Sequence, residues 1–127
     1  MPEELDRRRI LVIDDEERMV RFIRMNLEHD GFQVSEAFNG KQAVQKLRDV
    51  NPDLILLDLV MPAMDGRQLA ACLQGSPKLK DVPIIFLTAR ITKEEVGAVG
   101  GRIGDFPFLA KPIVVAELIS SIRRHLP

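Results

Sequence analysis

Ile10-Leu11-Val12-Ile13 is a short apolar run, rich in β-branched residues, that stops at Asp14-Asp15. A run of this length without polar alternation reads as a strand buried on both faces. The form returns at Leu54-Ile55-Leu56-Leu57, closed by Asp58, and at Ile84-Ile85-Phe86-Leu87, closed by Thr88. Between these runs, helical spacing joins Val20, Ile23 and Leu27, then Ala43, Val44 and Leu47, then Leu69, Cys72 and Leu73. A closing amphipathic helix puts Val115, Leu118, Ile119, Ile122 and Leu126 on one face. Strand and helix alternate, as they do in a parallel sheet covered by helices.

Two further candidate strands differ from these three. Phe32-Gln33-Val34-Ser35-Glu36-Ala37 alternates apolar and polar, and Phe106-Pro107-Phe108-Leu109 carries a proline, features that suit the edges of a sheet. With the three apolar strands central, a five-stranded doubly wound sheet of order 2-1-3-4-5 with right-handed crossovers and five helices fits best. The weakest element lies between Thr88 and Phe106. There Thr92-Lys93-Glu94-Glu95 opens a helix that meets Gly97, Gly100, Gly101 and Gly104. At roughly 1 kcal/mol per glycine relative to alanine, that helix is expected to be short or mobile. A loop needing positive backbone angles is the alternative.

A chain of 127 residues fits one domain, expected over residues 1–127 with a core at about 9–125. Hydrophobic residues at 46% and charged residues at 29% separate it from disordered chains. Eighteen Lys and Arg against nineteen Asp and Glu leave a net charge of −1, which gives no field to gather nucleic acid directly. Cys72 is the single cysteine and His29 and His125 the only histidines, so neither a disulfide nor a structural zinc site is expected. The N-terminus is charged, and no run approaches the roughly 18 apolar residues of a membrane span. A cytoplasmic location without membrane contact is expected.

In open α/β sheets, ligands bind beyond the carboxyl ends of the strands where strand order reverses, here between the first and third strands. Asp14, Asp15 and Asp58 end those strands. Converging carboxylates repel one another unless a cation neutralises them, so a divalent ion is implied. Oxygen ligands without histidine or thiolate favour Mg²⁺, with Mn²⁺ as a substitute. Each residue also has a structural reading. Asp14 or Asp15 could cap a helix whose first turn holds Glu16 and Glu17, and Asp58 could be a polar loop residue. Thr88 could be an ordinary strand residue and Lys111 a solvated charge. Together they assemble a carboxylate nucleophile, a cation site, a hydroxyl donor and an ammonium able to contact phosphate oxygens.

With those residues in order, the chain resembles the receiver domains of two-component response regulators. The resemblance is carried by Ile10-Leu11-Val12-Ile13-Asp14-Asp15-Glu16, by Asp58-Leu59-Val60-Met61-Pro62-Ala63-Met64-Asp65-Gly66, by Thr88-Ala89 and by Lys111-Pro112. It implies a flavodoxin-like fold in which Asp58 accepts a phosphoryl group from a sensor histidine kinase or phosphotransfer protein. It also implies Mg²⁺ bound by Asp15, Asp58 and the Val60 backbone carbonyl, with Asp14 acting directly or through water. Lys111 and Thr88 would contact the phosphoryl group. Movement of Thr88 would be coupled to Phe108, where the family often has tyrosine, and phosphorylation would order the glycine-rich segment from Gly97 to Gly104. Val60 offers no polar side chain to orient an attacking water and Arg90 could overlie the phosphoryl group, so slow self-dephosphorylation is expected.

Other classes fit less well. No glycine-rich phosphate loop follows the first strand, and a haloacid-type phosphatase typically needs a second Asp where Val60 stands. A flavin module shares the fold, but its phosphate would meet three carboxylates. The alternative from a different class is a docking module with a receiver fold that works without phosphorylation. The expectation is a stand-alone switch, not itself an enzyme, that signals to a downstream protein as a monomer or weak dimer.

Overall fold

The computed structural model describes residues 8–61, 64–89, 102–103 and 106–127. Its strands are β1 (Arg9–Ile13), β2 (Gln33–Ala37), β3 (Leu54–Asp58), β4 (Val60–Met61), β5 (Met64–Asp65), β6 (Ile84–Thr88), β7 (Arg102–Ile103) and β8 (Phe106–Ala110). Its helices are α1 (Glu17–His29), α2 (Gly40–Asp49), α3 (Gly66–Gln74) and α4 (Val115–His125). The main sheet runs β2-β1-β3-β6-β8-β7, and its first five members are all parallel. This is the doubly wound 2-1-3-4-5 order expected from the apolar runs. A separate β4-β5 hairpin follows β3 directly.

Strand alternation divides the core between the two faces of the sheet. Leu11, Ile13, Ile55, Leu57 and Phe86 face α2 and α3, where Ala43, Leu47, Leu69, Ala70 and Leu73 cover them. Ile10, Val12, Leu54, Leu56, Ile85 and Leu87 face α1 and α4 and meet Val20, Ile23, Leu27, Leu118 and Ile122. All five residues of β3 and all five of β6 are buried. The unbroken apolar runs are therefore strands covered on both sides. Asn39 caps α2, its side chain accepting from the Gln42 N–H at 2.8 Å, while the Gln42 side chain accepts from the Phe38 N–H at 2.8 Å.

Three expectations are corrected here. Val44 is exposed, because the stripe that α2 buries is Gly40, Ala43 and Leu47. Cys72 is exposed, and Ala70 takes the inward place on α3. The proline-bearing strand β8 is not a bare edge. β7 lies antiparallel to it, with Arg102 opposite Pro107 and Ile103 opposite Phe106. Four helices stand among the described residues, and the expected helix from Thr92 lies outside them. None of the described helices is long and apolar enough to cross a membrane.

Leu57 is fully buried immediately before Asp58 and tests how far the core supports that end of the sheet. Leu57→Ala is expected to cost about 2–5 kcal/mol of unfolding free energy. Urea denaturation followed by far-ultraviolet circular dichroism measures the loss.

Candidate functional site

The carboxyl ends of β1, β3, β6 and β8 come together at one end of the sheet. The Asp14 N–H donates to the Ala37 carbonyl at 3.0 Å, extending the β1–β2 ladder by one residue and fixing where its carboxylate starts. Asp15 follows as an exposed residue. Asp58 ends β3 in register with Leu87, and the next amide, of Leu59, donates to the Leu87 carbonyl at 3.0 Å. Thr88 ends β6 almost fully buried, and its carbonyl accepts the Lys111 N–H at 2.9 Å. Backbone hydrogen bonds thus set the spacing of the side chains before any of them interact.

Asp14, Asp15 and Asp58 each place a carboxylate oxygen within 4.8 Å of the others. Asp14 is completely buried and Asp58 is 4% exposed. The Lys111 Nζ lies 2.9 Å from Asp14 Oδ2, 2.9 Å from Glu16 Oε1 and 3.5 Å from Asp58 Oδ2. Asp14 Oδ1 accepts the Glu16 N–H at 3.0 Å. Its Oδ2 is buried and meets Lys111 as an ion pair without hydrogen-bond alignment.

Burial pushes the Asp14 carboxyl above the ordinary aspartate range, and the Glu16 amide and Lys111 only partly offset this. Burial alone would lower the Lys111 pKa. The hydrogen bond to Glu16 and the close ion pair with Asp14, with the charge of Asp58, outweigh it and leave the ammonium well above the usual lysine value. Lysine therefore stays charged, and among the described residues four acidic side chains, Asp14, Asp15, Glu16 and Asp58, stand around it. An all-oxygen donor set with a buried carboxylate oxygen lacking an aligned partner fits a hard divalent cation.

The expected site residues Asp14, Asp15, Asp58, Thr88 and Lys111 all lie at this end of the sheet. Phe108 is half-buried on the α2/α3 face, directly across from Phe86 and one diagonal step from the Thr88–Ala110 pair. Val60 pairs with Asp65 in the hairpin after Asp58. Arg90 and the stretch from Gly97 to Gly101, with Gly104, lie outside the described residues.

Sequence reading missed two contributors. Glu16 was read as an acid favoured by the dipole of the first helix, yet its side chain binds Lys111, 95 positions away. Gly66 was quoted only as part of a motif. Its N–H donates to the Leu59 carbonyl at 3.0 Å, and a Cβ there would stand 2.4 Å from the Asp58 carbonyl oxygen and 2.9 Å from Leu59 Cα. Only glycine lets α3 begin this close to the Asp58 backbone. The Asp65-Gly66 pair at the end of a hairpin was the signal available for it.

Carboxylates, a hydroxyl and an ammonium gathered at the switch point of a doubly wound parallel sheet define the frame of a receiver domain. Residues 10–123 match the family model described as the response regulator receiver domain, and the chain belongs to that family. It is 41% identical over 119 residues to the transcriptional regulatory protein ResD of Bacillus subtilis, an alignment covering 93% of this chain and 48% of ResD. The chain spans about half the length of the curated relatives it matches. Among solved structures it is similar to the Vibrio cholerae chemotaxis protein CheY4, with a TM-score of 0.82 and 27% identity over 95% of this chain and 100% of that one. It is also similar to the response regulator TrrA from Thermotoga maritima, solved in complex with Mg(2+)-BeF, with a TM-score of 0.76 and 30% identity over 94% and 99% of the two chains.

Two substitutions probe this geometry. Gly66→Ala is expected to destabilise the fold by about 1–3 kcal/mol, because the added methyl meets backbone atoms that cannot rotate away. Denaturant titration measures it. For Asp14, the raised folded-state pKa means that its ionised form costs stability at neutral pH, a cost recovered as pH falls through that pKa. Asp14→Asn is expected to melt higher than wild type at pH 7 without divalent metal, by about 4 °C per kcal/mol relieved, and to flatten the pH dependence. Calorimetric scans across pH read both effects.

Proposed function

We propose that the protein is a phosphoacceptor switch in which Asp58 takes a phosphoryl group from a phosphohistidine on a sensor kinase or phosphotransfer protein. The observation that carries this reading is the convergence of three carboxylates, a buried threonine and a lysine ammonium at the ends of β1, β3, β6 and β8. Asp15, Asp58 and the Val60 carbonyl would hold Mg²⁺, with Asp14 bound directly or through water. When bound, the ion neutralises charge between the acceptor carboxylate and the incoming phosphoryl oxygens.

The chain's own residues then perform the transfer. The Asp58 carboxylate, already ionised, forms the new O–P bond as the donor N–P bond breaks and its electron pair returns to the imidazole nitrogen. No base is needed for this step, so catalysis consists of positioning and charge stabilisation. Lys111 supplies a fixed positive charge to the phosphoryl oxygens, and the Thr88 hydroxyl donates to one of them. The product carries greater negative charge and more acceptor oxygens than the carboxylate it replaces. Inward movement of Thr88 and rotation of Phe108 would carry that change along the α2/α3 face to a protein-docking surface. Lacking a polar side chain two residues after Asp58, the site would lose its phosphoryl group slowly to water. A cytoplasmic domain matches a chain with a single cysteine and no described membrane-crossing helix.

Intact-protein mass after incubation with acetyl phosphate tests the reading. Wild type with Mg²⁺ is expected to gain one phosphoryl group, and neither wild type without Mg²⁺ nor Asp58→Asn should gain any. Failure of wild type to gain mass, together with failure to bind beryllium fluoride, would replace this reading with a docking module that works without phosphorylation.

A further inference from the structure

Local structure does not explain why Glu16 is a glutamate. It occupies the N-cap of α1 with φ −85° and ψ 95°, yet makes no side-chain cap hydrogen bond. Ser, Thr, Asp and Asn are preferred at such positions because their short side chains reach the first free amides of the helix. The longer Glu16 side chain instead crosses the site, where its Oε1 accepts a hydrogen bond from Lys111 Nζ at 2.9 Å. Its backbone is fixed on both sides. The N–H donates to Asp14 Oδ1 at 3.0 Å, and the carbonyl accepts the Val20 N–H at 3.0 Å. A residue that departs from the local rule while making a specific distant contact is where function is expected to override stability.

We infer that Glu16 is a positioning residue that draws the Lys111 ammonium toward Asp14 and the rim of the site, leaving it only a longer ion pair to Asp58, until a phosphoryl group arrives. The inference rests on reading Asp58 as the acceptor. The ammonium stands 2.9 Å from both Glu16 and Asp14 but 3.5 Å from Asp58. Without Glu16, it relaxes toward Asp58 and competes with a divalent cation for the same oxygens. With Glu16, the half-buried lysine has a second partner at the rim of the site. That partner is 60% exposed, against 10% for Lys111, so water and salt screen the pair and it yields readily to phosphoryl oxygens.

The Mg²⁺ affinity of the whole chain, read from backbone amide shifts in an NMR titration, tests this without relying on phosphorylation. Glu16→Gln and Glu16→Asp are both expected to weaken Mg²⁺ binding by roughly two- to five-fold, the scale of an exposed ion pair. Aspartate keeps the charge but is one methylene too short to hold Lys111. It caps α1 instead, so Glu16→Asp should also melt higher than wild type. In a Lys111→Met background, neither substitution should change Mg²⁺ affinity. Wild-type affinity in Glu16→Asp, or an undiminished effect without Lys111, would reduce Glu16 to a general negative charge and overturn the inference. If wild type binds no Mg²⁺, the acceptor reading fails as well, and the two failures are told apart by that single control.

Discussion

Mutual repulsion among Asp14, Asp15 and Asp58 is the constraint on which this end of the molecule depends. Their oxygens come within 4.8 Å of one another, and two of the three residues are buried. In water such groups would separate. Here they are fastened to the ends of strands whose remaining side chains are packed from both faces, and backbone hydrogen bonds to Ala37 and Leu87 hold the turning points. The core thus keeps charges close that would otherwise move apart, and Lys111 offsets only part of the excess. Carboxylates held in this way are a set that a hard divalent cation would relieve.

The two faces of the sheet contribute differently. On the α1/α4 face, large aliphatic side chains fill the layer and hold the first and last helices in place. On the α2/α3 face, small residues admit close approach: Gly40 and Ala43 on α2, Ala70 on α3, and Gly66 against the Asp58 carbonyl. Phe86, Phe106 and Phe108 collect on this second face, with Phe86 and Phe106 meeting edge to face at a centroid distance of 5.2 Å. Thr88 therefore stands at the boundary between the charged crevice and an aromatic cluster.

Much of this was legible in the chain because the residues that end the central strands differ so sharply from what precedes them. An apolar run closed by Asp or Thr marks both the strand and the place where its chemistry emerges, which is why Asp14, Asp58 and Thr88 could be located together. The helices were read less well. Val44 and Cys72 have the hydrophobicity of inward residues, but Gly40, Ala43 and Ala70 take buried places on their helices, and periodicity weights size over fit. β7 is two residues long and exists through its pairing with β8, so nothing local announces it. Glu16 escaped for a related reason, since its partner belongs to the opposite end of the chain. Gly66 was visible as a residue but not as a contact, because the carbonyl it approaches belongs to β3, on the other side of the β4-β5 hairpin.

The Glu16–Lys111 bond joins positions 95 residues apart, and the groups of the site come from four separate strands. No contiguous part of the chain holds them all. Undocking β8 would leave the carboxylates in place but remove the ammonium that Lys111 contributes, and undocking β1 would remove Asp14 and strand Lys111 beside Asp58. Assembly of the site is therefore a property of the completely folded sheet. A molecule that opens at either strand loses the arrangement while the rest of the sheet stays folded, so the fraction holding a complete site follows the local stability of these two strands.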